Sequence, residues 1–189
     1  MNFENPRGLL CPGCQKDWCE CSVPEPVVAD PTLHSLLVLR AEKWLRDQNC
    51  KVVIRDPFRC SNNEQPDAIG WRSGVSILIE VKTSRSDFLA DKNKKFRQNP
   101  DEGMGDWRIY FCPPEIIQPS DLPGGWGLLW VTDSQVRKMY GIPPNTLWDT
   151  PPNQGHKNNE TTMLVSALRR LELRGYLPEI YDPLENNHK

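Results

Sequence analysis

No run in this 189-residue chain approaches the roughly 20 consecutive apolar residues that span a bilayer, so no membrane-crossing helix is expected. The opening MNFENPRGLL lacks the basic-then-apolar pattern of a secretory signal, and a cytoplasmic, intracellular protein is expected. Charge of one sign is also lacking. The formal net charge is −2, which excludes a uniformly basic or acidic binder but not a local basic stripe. Internal repeats are absent. Histidine is scarce, with three in all, and the lone His34 is expected to be packed or exposed in a helix rather than to act as a ligand. The seven cysteines are an odd number, which fits poorly with a complete disulfide framework. In a reducing compartment, clustered cysteines favour metal.

Apolar residues make up 38% of the chain and fall in runs, enough for one sizeable core with appendages. Cys11–Cys21 form a cysteine-rich segment within residues 1–22, and proline-rich residues 23–30 read as a stiff linker. Asp30-Pro31 reads as a helix start. Leu33, Leu36, Leu37, Ala41, Trp44 and Leu45 then follow at helical spacing. Strands are expected at 51–56, 66–71, 75–82, 107–112 and 126–131, with a hairpin turn at Arg72-Ser73-Gly74. Ser84 opens a helix over SRSDFLADKNKKFRQ. DSQVRKMYG reads as a short helix, 142–159 as a long loop, and ETTMLVSALRRLELRG as a final amphipathic helix whose apolar face carries Met163, Leu164, Ala167, Leu168 and Leu171. The core domain is placed at 31–132 and a C-terminal extension at 133–189. Trp71, Trp107, Trp126 and Trp130 are expected in the core, as are Cys50, Cys60 and Cys112.

The chemistry concentrates in PDAIGWRSGVSILIEVK. Alternation along the strand sends Val75, Ile77, Ile79 and Val81 into the core and puts Ser76, Leu78, Glu80 and Lys82 on the other surface. Counting outward from Ser73 pairs position 67 with about 79, within one residue of Glu80. Two close carboxylates raise each other's pKa unless a cation intervenes. Mg²⁺ or Mn²⁺ accepts such oxygens and keeps several waters. Lys82 beside that cation can orient or deprotonate water, or neutralise charge on a phosphate. On this pair alone, an ordinary ion pair at a solvated strand end is an equal alternative.

Pro66-Asp67 followed by Glu80-Val81-Lys82, with this order of elements from about 31 to 131, resembles the PD-(D/E)XK nuclease superfamily. The stretches EVKTSRSDFLADKNKKFR, WRIYFCPPEII and LPGGWGLLWV resemble its MmcB-like branch of DNA repair proteins, over residues 50–132. The resemblance implies an α/β (α+β) restriction-endonuclease-like core, a central mixed sheet flanked by helices. It implies a metal held by Asp67, Glu80 and the Val81 backbone carbonyl, with Lys82 activating water. Many members add an acid from the first helix, and Glu42 is the only Glu there. Repair, recombination, restriction and phage–host conflict all use this fold.

Arg85, Lys92, Lys94, Lys95 and Arg97 follow the motif, and their helix is expected to pack through Phe88, Leu89 and Phe96 and show its cations outward to a DNA backbone. A solvated charged face is the competing reading. Cys11, Cys14, Cys19 and Cys21 are spaced for a structural Zn²⁺ knuckle, with an iron–sulfur cluster as the lesser option. A Mg²⁺- or Mn²⁺-dependent nuclease acting on DNA is the leading expectation. The alternative is an inactive nuclease-fold module that binds nucleic acid or protein through the knuckle. A homodimer or other protein partner is left open.

Overall fold

The computed structural model describes residues 32–58 and 64–183, the Lys95 side chain excepted. Cys11, Cys14, Cys19 and Cys21, the knuckle and linker segments, and Cys60 lie outside the described residues.

Helix α1 (Leu33–Asp47) is capped by Thr32, whose side chain accepts from Ser35 N–H. Its residues Leu37, Val38, Ala41, Trp44 and Leu45 are buried, the stripe that helical periodicity requires. The chain then forms β1 (Val52–Arg55), β2 (Ala68–Arg72) and β3 (Val75–Val81), followed by α2 (Arg85–Asp91) and α3 (Lys95–Gln98). Strands β4 (Trp107–Cys112), β5 (Trp126–Val131) and β6 (Val136–Tyr140) come next, then α4 (Lys157–Leu173). The six strands lie in sequence order in one sheet. β3, β4 and β5 run parallel, while β1–β2, β2–β3 and β5–β6 are antiparallel. The fold is therefore α+β, a mixed sheet flanked by helices. No helix among the described residues is long and apolar enough to cross a membrane.

One face of the sheet packs Val75, Ile77, Ile79 and Val81 against α1. The other gathers Ile69, Leu78, Tyr110 and Leu128 with Phe88 of α2 and Met163 of α4. Every position of β3 is consequently buried. Helices cover both faces of the sheet at β3, so the expected second surface of β3 does not face water.

Three elements differ from the sequence expectation. Residues 136–140 are a strand, not a helix. Thr132 and Gln135 close a tight turn, and β5 supplies the ladder. Five residues are too few to separate a period of 2 from one of 3.6, and the pairing decides. β6 also carries the sheet beyond residue 132, into the stretch assigned to the C-terminal extension. Second, the helix expected over 84–98 breaks at 92–94 into α2 and α3. In a continuous helix, positions 91 and 97 would point about 120° apart. The break turns both inward. Third, α4 buries Glu160 and Met163 but leaves Leu168 and Leu171 of its expected apolar face exposed.

Candidate functional site

The hairpin turn sets the site's register. Arg72 pairs with Val75 across a two-residue loop, in which Ser73 (φ 44°) and Gly74 (φ 84°) both adopt left-handed backbone. That is the turn whose twist matches paired strands. Ala68 then pairs with Ile79, and one step further Asp67 stands opposite Glu80. The sequence count was one residue short because the turn consumes two residues symmetrically rather than pivoting on Ser73.

Asp67 ends the β2 ladder with its side chain. Its Oδ2 accepts from Val81 N–H at 2.7 Å, which sets the Val81 peptide beside the carboxylate. Its Oδ1 lies 3.1 Å from Nε2 of His34 on α1. The hydrogen bond to Asp67 raises the pKa of His34 above its ordinary value, against burial. Glu42, the acid expected from this helix, is engaged elsewhere. It is ion-paired with Arg46 at 2.8 Å and with Arg55. Its position is two helical turns from His34, about 12 Å along the axis. His34 is the α1 side chain at Asp67.

Glu80 and Lys82 are buried, with side chains 3% and 4% exposed. This removes the reading of a solvated strand end. Lys82 Nζ lies 3.3 Å from Glu80 Oε2 and 3.2 Å from Asp91 Oδ1. Burial works to lower the lysine's pKa, but Glu80 and Asp91 outweigh it and hold the ammonium above its ordinary value. Lys82 is therefore held as an ammonium between the two carboxylates. Burial raises the Glu80 carboxyl above its usual range. Arg97 opposes that shift and Asp67 reinforces it.

Asp91, at the end of α2, is the hub that sequence reasoning missed. Its side chain is fully buried and accepts from Lys94 at 2.7 Å, Arg97 Nε at 2.8 Å and Tyr110 Oη at 2.9 Å, besides Lys82. Burial favours its neutral form, but Arg97, Lys94 and Lys82 outweigh that and hold the carboxyl well below the usual range. A signal existed: Asp91 shares a helix face with Phe88, three residues earlier. Glu64, also missed, is buried and accepts from Arg97 at 2.7 Å and from Met104 N–H.

The basic residues separate. Arg97 was expected on the outside. Its side chain is 4% exposed, paired with Glu64, Asp91 and Glu80, and its guanidinium lies 4.5 Å from the Trp126 ring centre. Arg85 is half-exposed and forks onto Asp121. Lys94 is half-exposed between Asp91 and Glu80. Lys92 is exposed, 5.5 Å from the Phe88 ring centre. The Lys95 side chain lies outside the described residues.

The Mg²⁺ or Mn²⁺ that the motif implies can be tested against one atom. Glu80 Oε1 is buried and makes no hydrogen bond among the described residues. The same is true of Arg97 Nη2, although the two lie 3.0 Å apart. A buried acceptor without an aligned donor is rare in native proteins. With Asp67 opposite and the Val81 peptide alongside, the donors suit a hard cation that takes one or two carboxylates and keeps its waters. No group of three or more His, Cys, Asp or Glu side chains that could hold a metal occurs among the described residues.

No protein-family profile matches the chain, and no curated protein does. A similar solved structure is SPO1766, a protein of unknown function from Silicibacter pomeroyi. It is 24% identical with a TM-score of 0.48, the match covering 79% of this chain and 94% of that one.

Proposed function

We propose that this protein is a metal-dependent nuclease of the PD-(D/E)XK type, hydrolysing DNA phosphodiester bonds on a restriction-endonuclease-like core. The observation that carries the reading is Glu80 Oε1, a buried acceptor without a hydrogen bond, opposite Asp67 and on the same face as Lys82. Asp67, Glu80 and the Val81 carbonyl hold the cation. When bound, Mg²⁺ or Mn²⁺ supplies Lewis-acid polarisation of the phosphoryl group and lowers the pKa of water. The Lys82 ammonium, fixed by Asp91, offsets negative charge that develops on the phosphate oxygens. Arg85, Lys92 and Lys94 reach solvent beside the site and contact the DNA backbone without reading sequence. Cys11, Cys14, Cys19 and Cys21 form a structural Zn²⁺ knuckle in this reading. Less than one zinc or iron per chain, in protein never exposed to chelator, rejects the knuckle.

A second reading, an inactive nuclease-fold module that binds nucleic acid or a protein, draws on a different observation. Lys82, Lys94 and Arg97 already neutralise the carboxylates around Glu80. One experiment separates the two. Supercoiled, linear and single-stranded DNA are incubated with the protein and Mg²⁺ or Mn²⁺, beside Lys82→Ala. Cleavage by the wild type alone supports the nuclease. Cleavage of no substrate, or equal cleavage by the variant, rejects it.

A further inference from the structure

Three cations crowd Glu80, which would ordinarily quench a carboxylate meant for a metal. The distances show where they are held. Lys94 Nζ is 2.7 Å from Asp91 and 3.6 Å from Glu80. Arg97 is 2.8 Å from Asp91 through Nε and 3.0 Å from Glu80 through Nη2. Lys82 is 3.2 Å from Asp91 and 3.3 Å from Glu80. Lys94 is nearer Asp91, whereas Lys82 and Arg97 are shared between the two carboxylates. The Arg97–Asp91 contact is an aligned hydrogen bond, whereas the Arg97–Glu80 contact leaves both atoms without one. Tyr110 Oη adds a neutral donor to Asp91. It fixes the acceptor from β4, the strand parallel to β3 with Tyr110 in register with Glu80.

We infer that Asp91 is a positioning residue: by holding Lys94 in an ion pair, taking the aligned hydrogen bond of Arg97 and sharing Lys82, it keeps Glu80 Oε1 available to a divalent cation. The inference rests on the metal-site reading above and adds a part to it. Without Asp91, the buried counter-charges left to the same three cations among the described residues are Glu80 and Glu64, with the half-exposed Asp87 3.9 Å from Lys82. Lys94 and Lys82 then close on Glu80 and compete directly with the metal. Asp91 acts through those side chains and touches no metal itself. Charge, not scaffolding, is what it contributes, so removing one competing cation must compensate for its loss.

The test reads Mn²⁺ binding to the full-length protein without DNA, from the spectroscopic signal of free Mn²⁺, with Glu80→Gln as the baseline. Asp91→Asn is expected to weaken the Glu80-dependent binding about tenfold to a hundredfold, the range for groups that support metal ligands. Asp91→Asn combined with Lys94→Met is expected to regain most of that loss. Wild-type-like affinity in Asp91→Asn overturns the inference, as does a loss that Lys94→Met does not restore, because a purely structural role predicts no rescue. If Asp91→Asn fails to fold, Lys94→Met alone decides. Its half-exposed side chain can be removed safely, and binding must tighten several-fold; unchanged or weaker binding overturns the inference. Wild-type protein that binds no more Mn²⁺ than Glu80→Gln rejects the metal site itself, and Asp91's role with it.

Discussion

Ser76 and Glu80 lie on the same face of β3, about 13 Å apart along the strand, and each anchors a buried polar cluster. At Ser76 the bonds close. Asp106 accepts from Ser76 N–H, Gly155 N–H and Lys157. Glu160 accepts from Ser76 Oγ, Gly105 N–H and Trp71 Nε1. These donors are mostly backbone or neutral groups, and they tie α4 to the sheet. At Glu80 the donors are three cationic side chains, and one carboxylate oxygen stays without an aligned partner. A fully satisfied buried network specifies a fold; an unsatisfied one costs stability and calls for another explanation. The same strand thus carries a latch at one end and a candidate reactive site at the other.

The largest effect is expected at Lys82. Lys82→Ala should reduce DNA cleavage in Mg²⁺ or Mn²⁺ by about a hundredfold to a thousandfold, measured as initial rates on the best substrate. The counterpart at the other end is Asp106→Ala. It strands the N–H groups of Ser76 and Gly155 in the core, and should cost about 2–4 kcal/mol in denaturant unfolding. Its Mn²⁺ affinity should be unchanged at temperatures where it stays folded; a lost Mn²⁺ site would mean the two ends are not independent.

Acid should separate them next. Burial favours the neutral form of Asp106, but Lys157 and the N–H groups of Gly155 and Ser76 outweigh it and lower its pKa. A depressed carboxylate contributes stability above its unfolded pKa and loses it as pH falls through the folded value. The stability advantage of wild type over Asp106→Asn should therefore shrink below about pH 4. Glu80 is raised, so the sign reverses. Its contribution is present below the unfolded pKa and lost as pH rises through the folded value. In chelator, wild type should gain stability relative to Glu80→Gln on acidification. Parallel slopes for the two pairs of proteins would contradict the contrast. The smallest effect is expected from Glu42→Gln, which weakens the ion pairs with Arg46 and Arg55 and leaves the Asp67 contacts in place. It should cost less than about 1 kcal/mol and change cleavage by less than about twofold.

The strands were largely legible because β3, β4 and β5 carry short apolar runs bounded by turn residues. Asp67, Glu80 and Lys82 were legible as a group because a hairpin turns strand spacing into proximity. Glu42 and His34 were not separable by composition. Which α1 residue meets Asp67 depends on the helix's seat on the sheet. Arg97 read as an outward-facing cation and Asp91 drew no role, because only the break at 92–94 turns both inward.

The amino-acid sequence by itself determined the local elements, the β2–β3 hairpin and the motif's two carboxylates and lysine, since these follow from period and turn chemistry over a few residues. The tertiary structure alone decided which charges are buried and which cation answers which carboxylate. Those outcomes depend on desolvation and on distances between residues far apart in the chain, such as Lys157 and Asp106 or Arg97 and Glu64, and no local pattern encodes them.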